Sequence, residues 1–389
     1  MRVLLGSRAT LFSVPGGDTI QIIKTAEALR ALGVECEIST ELRPDLSKSD
    51  LVHLFNLTRP QDVYLQALNA VRQQKPVVLS TIYLSSADFD GDSRDGLVGL
   101  LARGLSPSSF EYAKALARGI ANGEWHEGTR ALLRHGYQKL AEKVLRMSAV
   151  LLPNSHSEMQ RVIRDFPIAS ESKVVVVPNA VDDAALDSED DEVPEEFERF
   201  RGAILCVAGI GHRKNQLRLV RALRDVNIPL VLVGRPTPNA MGYFREVLRE
   251  AGPDVHFVGQ VKHEQVWHYY RVAKVHALAS WMETTGLSSL EAGLVGCSLV
   301  ITDKGDTREY FGDMAFYCDP SSEASIRETV LRAHTAPACL ALQDRIRKHF
   351  NWRKTAQVTM EAYRQALSQT ERPHLCEATS SENRRYEIH

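Results

Sequence analysis

The sequence predicts an α/β protein with two doubly wound parallel-sheet domains that face each other across a cleft. Short apolar runs alternate with segments of helical periodicity, and this alternation stops once and then restarts. The apolar runs are continuous, which is typical of parallel strands that are covered on both faces. A chain of 389 residues is long enough to form two such domains.

The first half begins with a strand at residues 2–6 and a turn at Gly16-Gly17. A helix follows and ends at Gly33. Two glycines between a strand and a helix allow the backbone to approach a ligand closely, although a plain tight turn is the alternative. Further strands are predicted at residues 34–38, 51–54, 77–84, 149–152 and 174–177, with a helix at 61–74 and a partly helical insertion at about 85–123.

A long basic helix is predicted at residues 125–147. It carries five arginines and lysines, namely Arg130, Arg134, Lys139, Lys143 and Arg146. A solvated helix face is one interpretation of these charges, and a face for an anionic acceptor or for lipid headgroups is the other. After the strand at 149–152, Ser155 is the expected N-cap of the next helix.

A change in composition marks the domain boundary. Residues 187–198 are densely acidic and contain Pro194, which is typical of a linker or a short exposed helix. We therefore expect an N-terminal domain at 1–185, a linker at 186–201 and a C-terminal domain at 202–350. A helix at 351–370 could cross back to the first domain, and a disordered tail is expected at 371–389.

In the second half, the predicted strands run into glycine-containing loops. The strands are at residues 203–208, 229–233, 255–258, 275–279 and 298–301. The first three end at Gly209, Gly234 and Gly259. Open α/β sheets bind ligands beyond the carboxyl ends of their strands, so we expect the ligand in the cleft between the two domains.

The stretch 280–291 is the most informative part of the chain. Glu283 and Glu291 bracket the start of a predicted helix at Gly286. The N–H groups of Thr285, Gly286 and Leu287 lack intrahelical acceptors there, and a helix N-terminus attracts anions. A phosphate site with a carboxylate on either side suits a nucleotide sugar.

Composition excludes several other functions. The formal net charge is −2, so the overall charge gives no support for binding to nucleic acid. The six cysteines form no CxxC pair and no Cys/His cluster, so neither a metal site nor a disulfide framework is predicted, and no cofactor is expected. No apolar run reaches the ~20 residues of a membrane span. We expect a cytoplasmic protein. Peripheral contact with the inner face of a membrane, through the basic helix at 125–147, is an open alternative.

The order of motifs resembles GT-B glycosyltransferases of glycosyltransferase family 4. The similarity covers about residues 1–368 and is most specific in Glu283-x7-Glu291. The supporting motifs are Gly16-Gly17, Pro153-Asn154-Ser155, Pro178–Asp182, Lys214-Asn215, Glu291-Ala292-Gly293 and Phe350-Asn351-Trp352. The resemblance implies a nucleotide-diphosphate-sugar donor on the second domain, an acceptor on the first, and transfer with retention of configuration without a metal.

The resemblance also implies roles for individual residues. Lys214 would stabilise the leaving diphosphate, Glu283 would face the donor sugar or the reacting centre, and Glu291 would accept hydrogen bonds from the ribose. Further donor contacts are expected from the following residues: Gly16, Gly17, Gly209, Gly259, Val261, Thr285, Gly286 and Leu287. The alternatives are an exposed loop lysine at 214 and carboxylates at 283 and 291 that serve only their helix.

Two positions depart from the resemblance. An arginine is usual several residues before Lys214, but Ala208-Gly209-Ile210 stands there, so Arg213 is the candidate for its role. A histidine is usual near the end of the strand at 77–84, where this chain has Tyr83. Tyr83 and His126 are therefore the acceptor-side candidates, and His156 is a further histidine that could reach the cleft.

The resulting hypothesis is a retaining glycosyltransferase. It would move a hexose-type sugar from a nucleotide-diphosphate-sugar to a hydroxyl of a glycan or lipid-linked glycan, in the biosynthesis of a surface polysaccharide or glycoconjugate. Two alternatives stay open, namely a nucleotide-sugar epimerase or hydrolase and a non-catalytic nucleotide-sugar-binding module of the same fold. A dinucleotide oxidoreductase is disfavoured because Gly209-Ile210-Gly211 is not followed by a third glycine.

Overall fold

The computed structural model describes residues 1–84, 109, 112–113, 127–182, 193–237 and 240–370, with side chains up to residue 368. His126, the predicted tail and nearly all of the predicted insertion at 85–123 lie outside these residues. The described chain forms two parallel sheets, each flanked by helices. This arrangement agrees with the predicted fold class.

The first sheet has five strands in the order β2-β1-β3-β4-β5. The strands are β1 (Arg2–Gly6), β2 (Glu35–Ser39), β3 (Leu51–Phe55), β4 (Val77–Ser80) and β5 (Ser148–Leu152). All neighbouring pairs are parallel. The helices of this half are α1 (Gly17–Ala31), α2 (Pro60–Arg72), α3 (Glu127–His135), α4 (Tyr137–Met147) and α5 (His156–Asp165).

The second sheet has six strands in the order β11-β10-β9-β6-β7-β8. The strands are β6 (Ile204–Val207), β7 (Leu230–Val233), β8 (Val255–Gly259), β9 (Val275–Leu278), β10 (Ser298–Thr302) and β11 (Phe316–Cys318). The helices of this half are α6 (Glu195–Glu198), α7 (Gln216–Ala222), α8 (Met241–Glu250), α9 (His263–Val272), α10 (Leu287–Val295), α11 (Thr307–Phe311), α12 (Glu323–Thr335) and α13 (Leu340–His349).

Burial explains why the strands read as continuous apolar runs. Every residue of β3, β4, β9 and β10 is buried, because helices cover both faces of each sheet. The order β9-β6-β7 in the second sheet means that the chain reverses direction across the sheet between β8 and β9. Such a switch point opens a crevice at the carboxyl ends of the strands, which is where the candidate site lies.

Three predicted elements differ from the structure, and one of them is the strand predicted at 77–84, which ends at Ser80. The strand predicted at 174–177 is absent, and the segment makes only one isolated β-bridge, between Val174 and Leu151. The N–H of Val177 donates to Pro153 O at 2.9 Å, but proline has no N–H to return, so the ladder stops there. The helix predicted at 125–147 is divided into α3 and α4 at Gly136, whose φ of 77° lies in the left-handed region.

The predicted linker ends inside the second domain. Phe197, in α6, and Phe200 belong to the hydrophobic core of that domain, so the last residues of the range 186–201 are anchored there. Their apolar side chains account for this placement, because the acidic neighbours at 195, 196 and 198 can stay in solvent while the two rings are buried.

The C-terminal helix α14 (Trp352–Thr370) crosses back to the first domain. Ala356, Ala362, Tyr363 and Ala366 pack into the core around β1, β3 and α1. The Tyr363 hydroxyl lies 2.7 Å from Nδ1 of His53, whose Nε2 lies 2.8 Å from Ser80 Oγ. Burial lowers the pKa of His53 to about 3, so its ring is neutral at physiological pH and can both donate and accept.

Tyr363→Phe tests this attachment of α14. The substitution leaves one nitrogen of a fully buried imidazole without its partner, and we expect the free energy of unfolding to fall by about 1–2 kcal/mol. Urea denaturation followed by circular dichroism measures the change. Ser368→Ala, on the exposed end of the same helix, is the control and should change stability by less than ~0.5 kcal/mol. Equal effects of the two variants would contradict a buried Tyr363–His53 contact.

Candidate functional site

The candidate site lies beyond the carboxyl ends of β6 to β10. Gly209, Gly234 and Gly259 follow or end β6, β7 and β8, and the N–H of Gly234 donates to Gly259 O at 2.8 Å. Glu283 lies beyond β9 and pairs with Gly305, beyond β10. Loops that are far apart in sequence therefore meet at one edge of the sheet.

Gly305 is required by a close approach of two backbones. Its φ is 103°, and a Cβ atom there would lie 1.9 Å from the carbonyl oxygen of Glu283. The N–H of Asp306 donates to that same oxygen at 2.9 Å, and the N–H of Glu283 donates to Lys304 O at 3.2 Å. The backbone of Glu283 is therefore held by the loop that follows β10.

Three predicted residues meet at the Glu283 carboxylate. Nζ of Lys214 donates to Oε1 at 2.6 Å, and Arg213 lies 3.2 Å from the same oxygen. Arg213 also donates to Met282 O at 2.8 Å. The carboxylate is almost fully buried, whereas Arg213 is about one-third exposed. Arg213 thus lies beside Lys214 and Glu283, although it follows the stretch Ala208-Gly209-Ile210, where the resemblance places an arginine.

The charges of this group are well defined. Burial acts to raise the pKa of Glu283, but Lys214 and Arg213 outweigh it and hold that pKa at about 2. Burial also lowers the pKa of Lys214, and Glu283 opposes that shift. Glu283 is therefore ionised at neutral pH. Its negative charge offsets part of the positive charge of Lys214 and Arg213.

Asn215 positions the basic loop, which we define as His212–Lys214. No role was predicted for Asn215. Its side-chain amide donates to Ala279 O at 2.9 Å and to Pro320 O at 2.8 Å. Its φ of 59° is left-handed, a conformation that asparagine tolerates better than most residues. The N–H of Trp281 donates to Arg213 O at 2.9 Å. The basic loop is thereby fixed against the chain segment that leads into Glu283.

The N-terminus of α10 lies on the same loop as Glu283. The N–H groups of Ser289 and Leu290 donate to Gly286 O, so those of Leu287 and Ser288 precede the helical ladder. Gly286 has a φ of 70° and serves as the N-cap. Thr285 is buried, and its hydroxyl accepts from Asn179 Nδ2 of the first domain at 3.0 Å. The N–H groups of Leu287 and Ser288 therefore offer an anion site on the loop that carries Glu283.

Glu291 is held by two side chains of α9. Its carboxylate lies 2.8 Å from Nε2 of His263 and accepts from the Tyr270 hydroxyl at 2.8 Å. The Glu291 side chain is only 14% exposed, so it is not a freely solvated helix carboxylate. The hydrogen bond to Glu291 raises the pKa of His263. His263 and Tyr270 were not predicted, because nothing in the local sequence marks them as partners of residue 291.

The remaining donor-side glycines have different surroundings. Gly209 is exposed, and its carbonyl accepts from Gln216 Nε2 at 3.1 Å. Gly259 has a φ of 79°, and Val261 packs at the border of the second-domain core. A side chain at Gly259 would meet nothing within 4 Å. These residues leave open surface at the ends of β6 and β8.

In the first domain, Gly16 and Gly17 follow a loop that is shaped by Arg8. The buried guanidinium binds the Asp18 carboxylate at 2.7 and 2.9 Å and donates to the carbonyls of Thr10 and Val14 at 2.8 and 2.9 Å. A side chain at Gly17 would meet nothing within 4 Å. The backbone at Gly17 is therefore exposed, and its contact with a ligand stays a prediction. Arg8 itself carried no sequence signal.

The acceptor-side candidates are less well supported. Tyr83 is 5% exposed, and its hydroxyl donates to Asp165 at 2.8 Å, inside the first domain. Its ring lies against Phe166, with centroids 5.5 Å apart. This placement gives no support to an acceptor contact by the Tyr83 side chain, and we do not propose one. His126 lies outside the described residues, and the backbone N–H of His156 donates to Glu309 at 2.8 Å.

Polar contacts join the two domains next to the site. Arg161 in α5 binds Asp306 through two hydrogen bonds of 2.6 and 2.9 Å, and both side chains are buried. The Glu309 carboxylate accepts from the N–H groups of His156 and Ser157, at the N-terminus of α5. The Tyr310 hydroxyl donates to Asn154 O at 2.8 Å. Sequence reasoning missed these contacts because each one spans the two domains.

Glu158 lies beside this interface. Ser155 Oγ accepts from its N–H at 2.8 Å, which agrees with the expected N-cap. The Glu158 carboxylate accepts from the Thr81 hydroxyl and from the N–H groups of Tyr83 and Asn154. Burial, assisted by the charge of Asp306, nevertheless raises its pKa from 4.5 to about 7.

This raised pKa predicts a loss of stability with rising pH. Between pH 4.5 and 7 the folded protein binds more protons at Glu158 than the unfolded chain does, so the free energy of unfolding falls, by on the order of 1–3 kcal/mol. Above pH 7 the contribution is constant. Denaturation of wild type and Glu158→Gln from pH 5 to 8 measures the difference, and we expect a smaller slope in the variant. Parallel curves would contradict the assignment.

Two further features are absent from the described residues. No group of three or more histidine, cysteine, aspartate or glutamate side chains is arranged to hold a metal ion among the residues that the structure describes. Over those same residues, no helix combines the length and the apolar character needed to cross a membrane.

Comparisons with known proteins assign the second domain. Residues 188–349 match the family model described as Glycosyl transferases group 1. This match covers less than half of the chain, and it agrees with the predicted enzyme class. The assignment to family 4 and the retaining motif stay predictions.

Two curated proteins are similar in sequence. The MMP alpha-(1->4)-mannosyltransferase of Mycolicibacterium hassiacum is 23% identical over 259 residues, which cover 64% of this chain and 62% of that protein. The D-inositol 3-phosphate glycosyltransferase of Kribbella flavida is 27% identical over 314 residues, which cover 70% of this chain and 69% of that protein.

Solved structures share the fold. Sucrose-phosphate synthase from Thermosynechococcus elongatus matches with a TM-score of 0.66 and 15% identity, covering 95% of this chain and all of that one. HepE from Anabaena, in complex with UDP and glucose, matches with a TM-score of 0.64 and 14% identity, covering 94% of this chain and 99% of that one. The prediction of two facing Rossmann-like domains in the GT-B arrangement is confirmed.

Proposed function

We propose that this protein is a retaining glycosyltransferase. It moves a hexose-type sugar from a nucleotide-diphosphate-sugar to a hydroxyl of a glycan or lipid-linked glycan, in the biosynthesis of a surface polysaccharide or glycoconjugate. The observation that carries the proposal is the meeting of Arg213, Lys214 and Glu283 beside the N-terminus of α10, inside a group 1 glycosyltransferase domain.

The geometry supports a nucleotide-sugar donor. Lys214, Arg213 and the free amides of Leu287 and Ser288 present positive charge and N–H donors, which a diphosphate leaving group needs. Glu291, fixed by His263 and Tyr270, has further lone pairs for hydroxyl groups. A nucleotide-diphosphate-sugar contains both phosphates and hydroxyls. HepE was solved in complex with UDP-glucose, which supports a donor of this class.

The proposed reaction needs no enzyme nucleophile. The acceptor hydroxyl oxygen bonds to the anomeric carbon as the bond from that carbon to the diphosphate breaks, and a diphosphate oxygen takes the hydroxyl proton. Lys214 and Arg213 stabilise the charge that develops on the diphosphate. Glu283 is ionised at neutral pH, so it can orient the sugar or stabilise positive charge but has no proton to donate. Holding both substrates between two domains supplies orientation and excludes water.

The acceptor side of the proposal relies on charge. Arg130, Arg134, Lys139 and Arg146 are exposed along α3 and α4, and Leu133 between them is also exposed. Burial and the neighbouring charges of Arg134 and Lys139 lower the pKa of Lys143. A surface that crowds positive charge around an exposed leucine suits an anionic acceptor or lipid headgroups. This supports a cytoplasmic enzyme in peripheral contact with a membrane.

A donor screen tests the proposal. Purified protein is mixed with UDP-, GDP-, ADP- and dTDP-sugars, and thermal unfolding is recorded. A donor at 100 times its Kd should stabilise the fold by about 2.7 kcal/mol. The best donor is then incubated with and without candidate acceptors, and the free nucleotide and the anomeric configuration of the product are measured by NMR.

The outcomes separate the alternatives. Release of nucleoside diphosphate that depends on an acceptor, with the donor's anomeric configuration in the product, supports the proposal. Conversion or hydrolysis of the donor at the same rate without any acceptor would instead identify an epimerase or hydrolase. Stabilisation by a donor without turnover under any condition would identify a non-catalytic binding module.

A further inference from the structure

We infer that Arg161 of the first domain is a positioning residue for Glu283 of the second, acting through Asp306. This inference rests on the proposed function, because it concerns how the two domains jointly set the geometry of sugar transfer. Arg161 lies in α5, and Asp306 is the residue before α11.

The path from Arg161 to Glu283 consists of direct contacts. Both terminal nitrogens of Arg161 bind the two carboxylate oxygens of Asp306, at 2.6 and 2.9 Å. The N–H of Asp306 donates to Glu283 O at 2.9 Å. Gly305 packs so tightly on that same carbonyl that a Cβ atom would lie 1.9 Å away. A displacement of Asp306 therefore displaces the backbone of Glu283.

A second contact with the first domain lies on the C-terminal side of Glu283. Asn179 of the first domain donates from its side chain to the Thr285 hydroxyl at 3.0 Å, two residues after Glu283. Its backbone N–H donates to the Tyr310 hydroxyl at 3.0 Å. Asp306 and Thr285 are thus both attached to the first domain. Asp306 is attached through a buried, bidentate charge pair, which is the more rigid and specific contact.

The burial of the Arg161–Asp306 pair indicates a role other than stability. The Asp306 side chain is fully inaccessible and that of Arg161 is 10% exposed. A buried ion pair contributes little net stability compared with apolar residues of similar volume, so stability alone explains it poorly. A pair that fixes one domain against the catalytic loop of the other explains its position next to Glu283.

The test compares Arg161→Met with Glu309→Gln. Both variants weaken the same domain interface, but the Glu309 carboxylate contacts the N–H groups of His156 and Ser157 at the N-terminus of α5, whereas Arg161 contacts Asp306. We expect Arg161→Met to lower kcat by about 10²-fold, the effect of a misplacement of roughly 1 Å, while Glu309→Gln changes kcat less than about threefold. The Kd values for UDP, GDP, ADP and dTDP, bound mainly by the second domain, should stay within about twofold.

A fluorine signal provides a readout that is independent of activity. Trp281 donates its backbone N–H to Arg213 O and lies two residues before Glu283. With 5-fluorotryptophan incorporated, the Trp281 resonance should shift or broaden in Arg161→Met and stay unchanged in Glu309→Gln. Arg161→Lys, which keeps one charge, should recover part of kcat and of the wild-type signal. All measurements are made well below the unfolding temperature of each variant.

The results decide the two proposals separately. An equal loss of kcat in Arg161→Met and Glu309→Gln would show that domain docking in general matters and would overturn the positioning role. A normal kcat and an unchanged fluorine signal in Arg161→Met would also overturn it. If wild type transfers no sugar, the proposed function fails, while the fluorine signal still decides whether Arg161 positions the Glu283 loop.

Discussion

Lys214→Met is expected to lower kcat for sugar transfer by roughly 10²–10³-fold, the usual cost of removing one donor that stabilises a developing negative charge. The ammonium group lies 2.6 Å from Glu283 in a site that is largely screened from water, so a water molecule cannot replace it at equal strength. Arg213 remains beside the carboxylate, which should keep the loop folded. Steady-state kinetics with the best donor and a saturating acceptor measure the effect.

Two controls separate this result from a general loss of structure. Lys348→Met removes an exposed lysine of α13 in the same domain and should leave kcat within about twofold. Lys214→Arg keeps the positive charge but changes its shape, and we expect an intermediate rate because a guanidinium differs from an ammonium in geometry. Wild-type kcat in Lys214→Met would remove this residue from the mechanism and favour the alternative of an exposed loop lysine.

Glu283→Gln is expected to separate binding from turnover. The amide keeps the shape of the side chain but removes the charge that neutralises Lys214 and Arg213, so nucleoside diphosphates should bind as tightly as in wild type or more tightly. Turnover should fall by about 10²-fold or more, because the carboxylate is lost from the reacting centre. Isothermal titration with nucleoside diphosphates and steady-state kinetics on the same preparations measure the two quantities.

The same variant should change the response to acid. The folded-state pKa of Glu283 is about 2, below its ordinary value of 4.5, so its charge stabilises the fold fully above pH 4.5. That contribution is lost as the pH falls from 4.5 through 2, and it amounts to a few kcal/mol. Glu283→Gln should lack this part of the acid dependence. If both proteins lose stability equally over that range, the buried ion pair is not formed in solution.

Much of the fold was predictable because it follows from local patterns. Continuous apolar runs predicted β1, β3, β4 and β9, since strands covered on both faces have no polar side. The predictions failed where one residue outweighed the pattern. Pro153 cannot extend the ladder to residues 174–177, and Gly136 divides the helix predicted at 125–147.

The candidate site was predictable in part for a similar reason. Glu283 and residues 285–287 lie within one loop, so their spacing alone indicated a carboxylate next to a helix N-terminus. Lys214 and Arg213 lie about 70 positions away, and the expected strand ends placed them at the same edge of the sheet without showing which side chains meet. The exposed turn at Gly17 was likewise predictable, whereas the guanidinium of Arg8 that shapes it was not.

The sequence by itself determined the two βα arrays, the composition and the chemistry available at each strand end, because these depend on residue type and on spacing within a few turns. Only the tertiary structure decided which groups meet. It placed His263 and Tyr270 on Glu291, and Arg161 on Asp306 across 145 positions of sequence. It also buried Tyr83, with its hydroxyl on Asp165. Contacts between distant segments depend on how the helices pack within a domain and on how the domains dock, and local sequence patterns specify neither.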